Sequence, residues 1–128
     1  MQTRIDIRIV SLLTVSFALA CSALPLVGSP DASAISFESG DLFSTEKSSL
    51  SVLDPACRQA IEILGYDSVE TTREVDRVRW QAQTAGRAPV EIELNAKGRG
   101  RTELRIRIGA FGDEAHSRLV LEQIHQSL

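Results

Sequence analysis

The stretch RIRIGAFGDEAHSRLVLEQI, residues 105–124, changes its character halfway along. In its first part Ile106 and Ile108 alternate with arginines, which is typical of a strand with one buried face and one solvated face. In its second part an acidic pair is followed by apolar residues spaced three and four apart, as on an amphipathic helix. Gly-Ala-Phe-Gly, residues 109–112, stands between the two. The stretch therefore predicts a strand, a tight corner and a helix in direct succession.

The corner raises the question of a binding site. A glycine-rich turn before a helix can hold phosphate on free backbone N–H groups, but here Asp113 and Glu114 stand where the anion would lie. A Gly-x-x-Gly clamp for RNA lies between helices in its usual module, and this one does not. We therefore expect a structural turn made of Gly109, Phe111, Gly112 and Asp113. The glycines should adopt backbone angles that other residues resist, and Phe111 should close the end of the core.

The chain before this corner contains one more helical pattern and several strand patterns. Apolar residues with helical spacing run from Leu53 until Gly65, a natural stop, and Asp54-Pro55 supplies a cap and a first-turn proline. A start one turn earlier is the alternative, at Ser49 or Ser51. Alternating or Val- and Thr-rich runs predict strands at residues 42–49, 68–75, 78–83, 90–94 and 103–108.

The order of these elements is β-α-β-β-β-β-α. The simplest way to bury every apolar face is an α+β two-layer sandwich, in which two helices cover one face of an antiparallel sheet of four to five strands. A chain of 128 residues with 43% hydrophobic residues can build one such core and no second domain. The other face of the sheet should then remain open to solvent.

The N-terminal region has the pattern of an export signal. A basic start is followed by residues 9–30, which carry no charge and include the apolar run IVSLLTVSFALA. The following Ser-, Gly- and Asp-rich residues resemble a tether. We therefore expect a signal peptide over residues 1–20, a tether over 21–40 and a single α+β domain over 41–128.

Cys21 is the predicted lipidation site, because Ala-Leu-Ala-Cys resembles the lipobox of bacterial lipoproteins. A lipid there would hold the protein on the periplasmic side of the cell envelope. Two alternatives remain: cleavage after Ala34, which would release a secreted or periplasmic protein, and an uncleaved anchor. If Cys21 is lipidated, Cys57 has no disulfide partner and fills the core, although a Cys21–Cys57 bridge is the alternative.

The sequence offers no recognisable catalytic, metal or cofactor site. The two histidines, His116 and His125, are nine residues apart and point to opposite sides of one helix. Neighbouring residues on a helix diverge by about 100°, so His116 and Ser117 do not face one another as a triad requires. We expect a protein that is not an enzyme and needs no metal or cofactor, with an unrecognised hydrolase as the alternative.

The quoted stretch closely resembles the C-terminal signature of domain-of-unknown-function family 3568, whose members are small bacterial exported proteins, many of them lipoproteins. CSALPLVG matches the start of the pattern, ACRQAIEILGYD its helix and IGAFGDEAHSR its end, so the resemblance covers nearly all of residues 21–128. Gly-x-Phe-Gly-Asp-Glu-Ala is its most specific part. The resemblance implies the strand, helix, strands, helix order and carries no activity or catalytic residue.

The open face of the sheet is the remaining candidate for a working surface. Residues 73–107 carry nine basic and five acidic side chains, a net of +4 in a chain whose formal charge is -3. The overall charge gives no reason to expect nucleic acid. The predicted docking face comprises Arg79, Arg105, Arg107, Glu91 and Glu93. It would be either a solvated ladder of ion pairs or a surface for an acidic envelope partner.

These patterns leave three functions open. The protein could be a non-catalytic structural or adaptor module of the cell envelope, a periplasmic domain that binds a small or polymeric ligand, or a hydrolase. A filled core favours the first, a deep pocket between sheet and helices the second, and clustered polar groups inside such a pocket the third.

Overall fold

The computed structural model describes residues 34–128. The predictions for residues 1–33, which include the signal peptide, most of the tether and lipidation of Cys21, lie outside this range. Within it, eight elements follow one another in the order β-β-α-β-β-β-β-α. They are β1 Ile35–Glu38, β2 Asp41–Glu46, α1 Leu50–Ile63, β3 Asp67–Arg73, β4 Arg77–Gln83, β5 Pro89–Gly98, β6 Arg101–Ile108 and α2 Glu114–Gln126.

The strands form one antiparallel sheet in the order β1-β2-β6-β5-β4-β3. The predicted α+β class and the two helices are confirmed. The described chain has six strands where the sequence predicted four to five, and the added strand is β1. The sequence prediction placed residues 35–40 in the tether, whereas Ile35 pairs with Ser44 and Glu38 with Asp41. Because β1 is an edge strand with mostly exposed residues, it lacks the alternation by which the other strands were recognised.

The core lies between the two helices and one face of the sheet. Along β6 every second residue is buried, and Leu104 and Ile106 are fully covered. Trp80 and Ile92 on the neighbouring strands face the same way, as the alternation predicted. Cys57 on α1 is also fully buried, and burial, followed by the charges of Asp54 and Glu46, raises its pKa. The thiol therefore behaves as a small apolar side chain.

Helix α1 begins a turn earlier than Asp54-Pro55. Ser49 is the N-cap and its carbonyl accepts from the N–H groups of Val52 and Leu53, both at 3.1 Å. Pro55 therefore lies inside the helix instead of in its first turn, and Asp54 is not its cap. The predicted stop is correct, because Gly65 adopts φ +70° directly after the C-cap.

Helix α2 begins where the sequence placed it. Asp113 is the N-cap, and its carboxylate accepts a hydrogen bond from the backbone N–H of His116 at 3.0 Å. The buried face of the helix includes Ser117, Val120 and Ile124. Helix α2 thereby packs against β6, β2 and α1.

Candidate functional site

The open face of the sheet brings the five predicted residues together as one ion-pair network. The pairing registers place Arg79 opposite Glu93 and Glu93 opposite Arg105 on three neighbouring strands. The Arg79 guanidinium lies 2.9 Å from Glu93, and Arg105 contacts Glu91 and lies 3.4 Å from Glu93. We call this set, together with Asp41, the charge ladder.

Asp41 is the member that the sequence did not reveal. Its carboxylate lies 3.4 Å from Arg105 and 3.3 Å from Arg107. The residue is at the start of β2, and β2 pairs with β6 although more than sixty positions separate them in the chain. No local pattern signals such a long-range contact. The sequence predicted a strand after Asp41 but did not predict that it pairs with β6.

The charge ladder is more covered than a usual surface ion pair. The side chains of Glu93 and Asp41 are only 12% and 16% exposed. Burial alone would raise the pKa of Glu93. Hydrogen bonds from Asn95 and Arg79, with the charges of Arg105 and Arg79, outweigh it and lower that pKa to about 2.

The ladder therefore neutralises much of the positive charge that the sequence assigns to these strands. Its three arginines face three carboxylates, Asp41, Glu91 and Glu93. The net charge of +4 over residues 73–107 omits Asp41, and it includes arginines in turns. The surface thus has paired charges instead of a basic patch.

The predicted corner is a contact between two turns. Gly109 and Gly112 adopt φ +76° and +83°, a backbone conformation that glycine adopts without strain and other residues resist. Gly112 packs directly on Gly40, in the turn between β1 and β2. A Cβ on Gly112 would lie 2.1 Å from the carbonyl oxygen of Gly40, which no side chain can tolerate.

Phe111 does not close the core, and this part of the prediction is wrong. Its side chain is 92% exposed. The backbone of Phe111 and Gly112 rests on Gly40, and the side chain of Phe111 lies in solvent beside this contact. The sequence could not reveal this arrangement, since it depends on a glycine about seventy positions away.

Arg107 joins the ladder to the corner. Its guanidinium donates to the carbonyl oxygen of Ser39 in the first turn and to that of Ala110 in the second, both at 3.1 Å. One side chain thus ties the two turns together while it also pairs with Asp41. Arg107 is therefore a structural link as well as a member of the predicted docking face.

A cleft of about 400 Å³ opens beside the corner, between the end of α1, the β4–β5 hairpin and the start of α2. We call it the end cleft. Its walls include Leu64, Tyr66, Ala85 and Ile108, and Asp113 and His116 lie at its margin. Burial, followed by the charge of Asp113, raises the pKa of Tyr66.

The residues near the end cleft do not form a catalytic triad. Asp113 and His116 are paired at 2.7 Å, but both side chains are largely exposed. Ser117 is fully buried on the core side of α2, and its hydroxyl has no hydrogen-bond partner among the described residues. The divergence of neighbouring helical side chains thus separates the hydroxyl from the imidazole, as the sequence predicted.

A second polar cluster lies at the opposite end of the sheet. Asp54 accepts from the indole N–H of Trp80 at 3.0 Å and from Arg73 at 2.9 Å, and the Arg73 guanidinium lies over the Trp80 ring, 5.2 Å from its centroid. These contacts join α1 to β3 and β4. Asp54 is therefore a structural partner of the buried tryptophan. Its place before Pro55 had instead suggested a helix cap.

No group of three or more potential metal ligands occurs within residues 34–128. None of the helices in that range is both long and apolar enough to cross a membrane.

The corner and α2 agree with the predicted resemblance, whereas β1 adds a strand before the predicted order. Residues 5–127 match the family described as protein of unknown function (DUF3568). The chain belongs to this family. No curated protein matches this chain. Membership extends over almost the whole chain and supplies no activity for the site.

We predict that Gly112→Ala destabilises the protein by about 2–5 kcal/mol, because the new Cβ adds a backbone clash to the strain of a positive φ. Gly65→Ala is the matched control, since Gly65 also has a positive φ but has no atom within 4 Å of the new Cβ. The free energy of unfolding of this control should fall by only about 1–2 kcal/mol. Urea denaturation of both variants measures the difference, and equal losses would contradict the turn-to-turn contact.

We also predict an acid-sensitive contribution from Glu93. Its pKa is lowered from an ordinary 4.5 to about 2 in the folded protein, so its stabilising effect is complete above pH 4.5 and is lost as the pH falls toward 2. Glu93→Gln should flatten the dependence of the unfolding free energy on pH across this window. The unfolding free energy of wild type and Glu93→Gln is measured by denaturation at several pH values. Glu70→Gln, on the exposed edge strand β3, is the control. An equal slope in wild type and Glu93→Gln would refute the effect.

Proposed function

We propose that this protein is an exported lipoprotein, held by a lipid on Cys21 at the periplasmic side of the cell envelope, and that it is a non-catalytic structural or adaptor module. The observation that carries the proposal is the uncovered face of the sheet. Both helices lie on the other face, and the charge ladder fixes the open side chains in one arrangement. A flat and preorganised surface of this kind is suited to docking another protein.

The filled core favours an adaptor over a hydrolase. The space between the helices and the sheet is occupied by apolar side chains, many of them fully buried. The groups that a hydrolase would need are not arranged for catalysis. Asp113 and His116 form a largely exposed pair at the start of α2. Ser44 and His125 both bind the buried carboxylate of Glu46 instead of one another. This arrangement supports docking through surfaces instead of reaction in a pocket.

The alternative is a periplasmic domain that binds a small ligand or a polymer, and a groove on the open face favours it. About 420 Å³ in volume, the groove is lined by Gln81, Gln83, Glu91 and Arg107, among other residues. The two glutamine amides have no side-chain hydrogen bond within the described chain, so they are free to donate and accept. A partner protein would use the same amides, and the same variants therefore test both functions.

We predict that a bulky side chain in the groove of the open face prevents docking. Gln81→Trp leaves the charge ladder intact and should reduce recovery of the crosslinked partner by at least about tenfold. Gln59→Trp, on the exposed side of α1, is the matched control. Crosslinking in the native host followed by mass spectrometry measures recovery, and the melting temperature checks the fold.

The charge of the partner is tested at the same position. An acidic partner should be recovered less with Gln81→Glu and more with Gln81→Lys. An identical set of crosslinked proteins in wild type and all Gln81 variants would mean that the open face is not a docking surface.

We predict that radiolabelled palmitate enters the wild-type protein and does not enter Cys21→Ser. Inhibition of the lipoprotein signal peptidase should leave a larger precursor, because cleavage before Cys21 follows attachment of the first lipid. A mature N-terminus at Ile35 would instead support cleavage after Ala34 and exclude the lipid anchor.

A further inference from the structure

Phe111 is presented to solvent by a turn whose backbone is held in place. Its ring is 92% exposed, although a phenylalanine in a soluble protein is usually at least partly covered. The turn that carries it cannot relax easily, because Gly112 rests on Gly40 and Arg107 binds the carbonyl oxygens of Ser39 and Ala110. An exposed aromatic side chain on such a turn has the properties of an anchor in a protein interface, because the backbone is already ordered and the ring has only two side-chain torsions to fix when it is buried.

The end cleft has the chemistry and the size to receive such a ring. Its walls are formed mainly by the apolar parts of Leu64, Tyr66, Ala85 and Ile108, and its volume is about 400 Å³. A cavity of about 150 Å³ is sufficient for benzene. The ring of Tyr66 additionally offers an aromatic surface on which a phenyl group can stack or pack edge to face.

The anchor and the cleft are neighbours on one surface. Gly109 and Asp113 line the end cleft, and Phe111 lies between them in the chain. A two-fold axis that passes between the anchor and the cleft can therefore place each anchor in the cleft of the other copy. We infer that the protein self-associates as a symmetric dimer, in which Phe111 of each copy occupies the end cleft of its partner.

Charges around the contact are compatible with this pairing. Asp113 and Glu114 follow the anchor after Gly112 and pair with His116 and Arg118 of their own helix, whereas the hairpin on the far side of the cleft carries Arg87. Arg87 has φ +62° and makes no side-chain ion pair or hydrogen bond within residues 34–128. In the two-fold arrangement the acidic residues beside each anchor approach the Arg87 of the other copy, which favours this pairing by complementary charge.

The test uses the full chain with two different C-terminal tags, expressed together in the native host. When Phe111 is replaced by p-benzoylphenylalanine, illumination should yield a crosslinked dimer that contains both tags, and the crosslink should map to residues 64–66 or 84–88. Val75 is the matched control position, because it is fully exposed in the turn between β3 and β4, at the opposite end of the sheet. Photoreactive residues there should give no dimer.

Two substitutions separate the anchor from the cleft. Phe111→Ala removes the anchor, and Ala85→Trp fills the cleft. Neither variant should co-precipitate with a differently tagged copy of itself, and each should recover at least about thirty-fold less partner than wild type. A mixture of the two variants retains one anchor and one open cleft, so it should recover part of the association. Melting temperatures show that both variants are folded.

Three results would overturn the inference. They are the absence of a crosslinked dimer, a crosslink from position 111 to a different protein, and undiminished self-association of Phe111→Ala. The dimer does not depend on docking at the open face, because Gln81→Trp should leave it intact. Failure of one proposal is therefore distinguishable from failure of the other.

Discussion

The contact between Gly40 and Gly112 determines the arrangement of the rest of the structure. It brings the turn of the first hairpin against the corner between the last strand and the last helix, with backbone so close that neither residue can carry a side chain. Arg107 reinforces it by binding a carbonyl oxygen from each turn. The contact joins the turn between β1 and β2 to the corner before α2, and it holds the backbone of the turn that carries the exposed Phe111. The corner is thus a structural element, and it also presents Phe111 on the surface.

Local patterns were sufficient to predict the elements of the inner sheet. The alternation in β4, β5 and β6 identified the buried face correctly, and the Gly112-Asp113 pair located the start of α2. Both signals arise within a few residues, because burial of one strand face and capping of a helix are local requirements. The same argument placed Gly65 at the end of α1.

The features that escaped prediction depend on residues distant in the chain. β1 is stabilised by pairing with β2 instead of by a dry face of its own, so its sequence resembles a tether. Phe111 was expected inside because the glycines around it revealed a turn but not the partner turn that occupies the space. The place of Asp41 in the charge ladder was missed for a similar reason, since Asp41 reaches Arg105 and Arg107 only after the sheet has formed.

The edge position of β1 has a mechanical consequence. A pull on the chain before Ile35 acts first on a strand of four residues, which is bonded to β2 alone and runs antiparallel to it. Such a force separates the pairs one after another from Ile35 toward Glu38, and each step breaks few hydrogen bonds. The separation then reaches the turn of Ser39 and Gly40, where Arg107 and the backbone of Gly112 hold the chain. β1 can therefore yield as a short extensible segment while the corner protects the remaining five strands from the load.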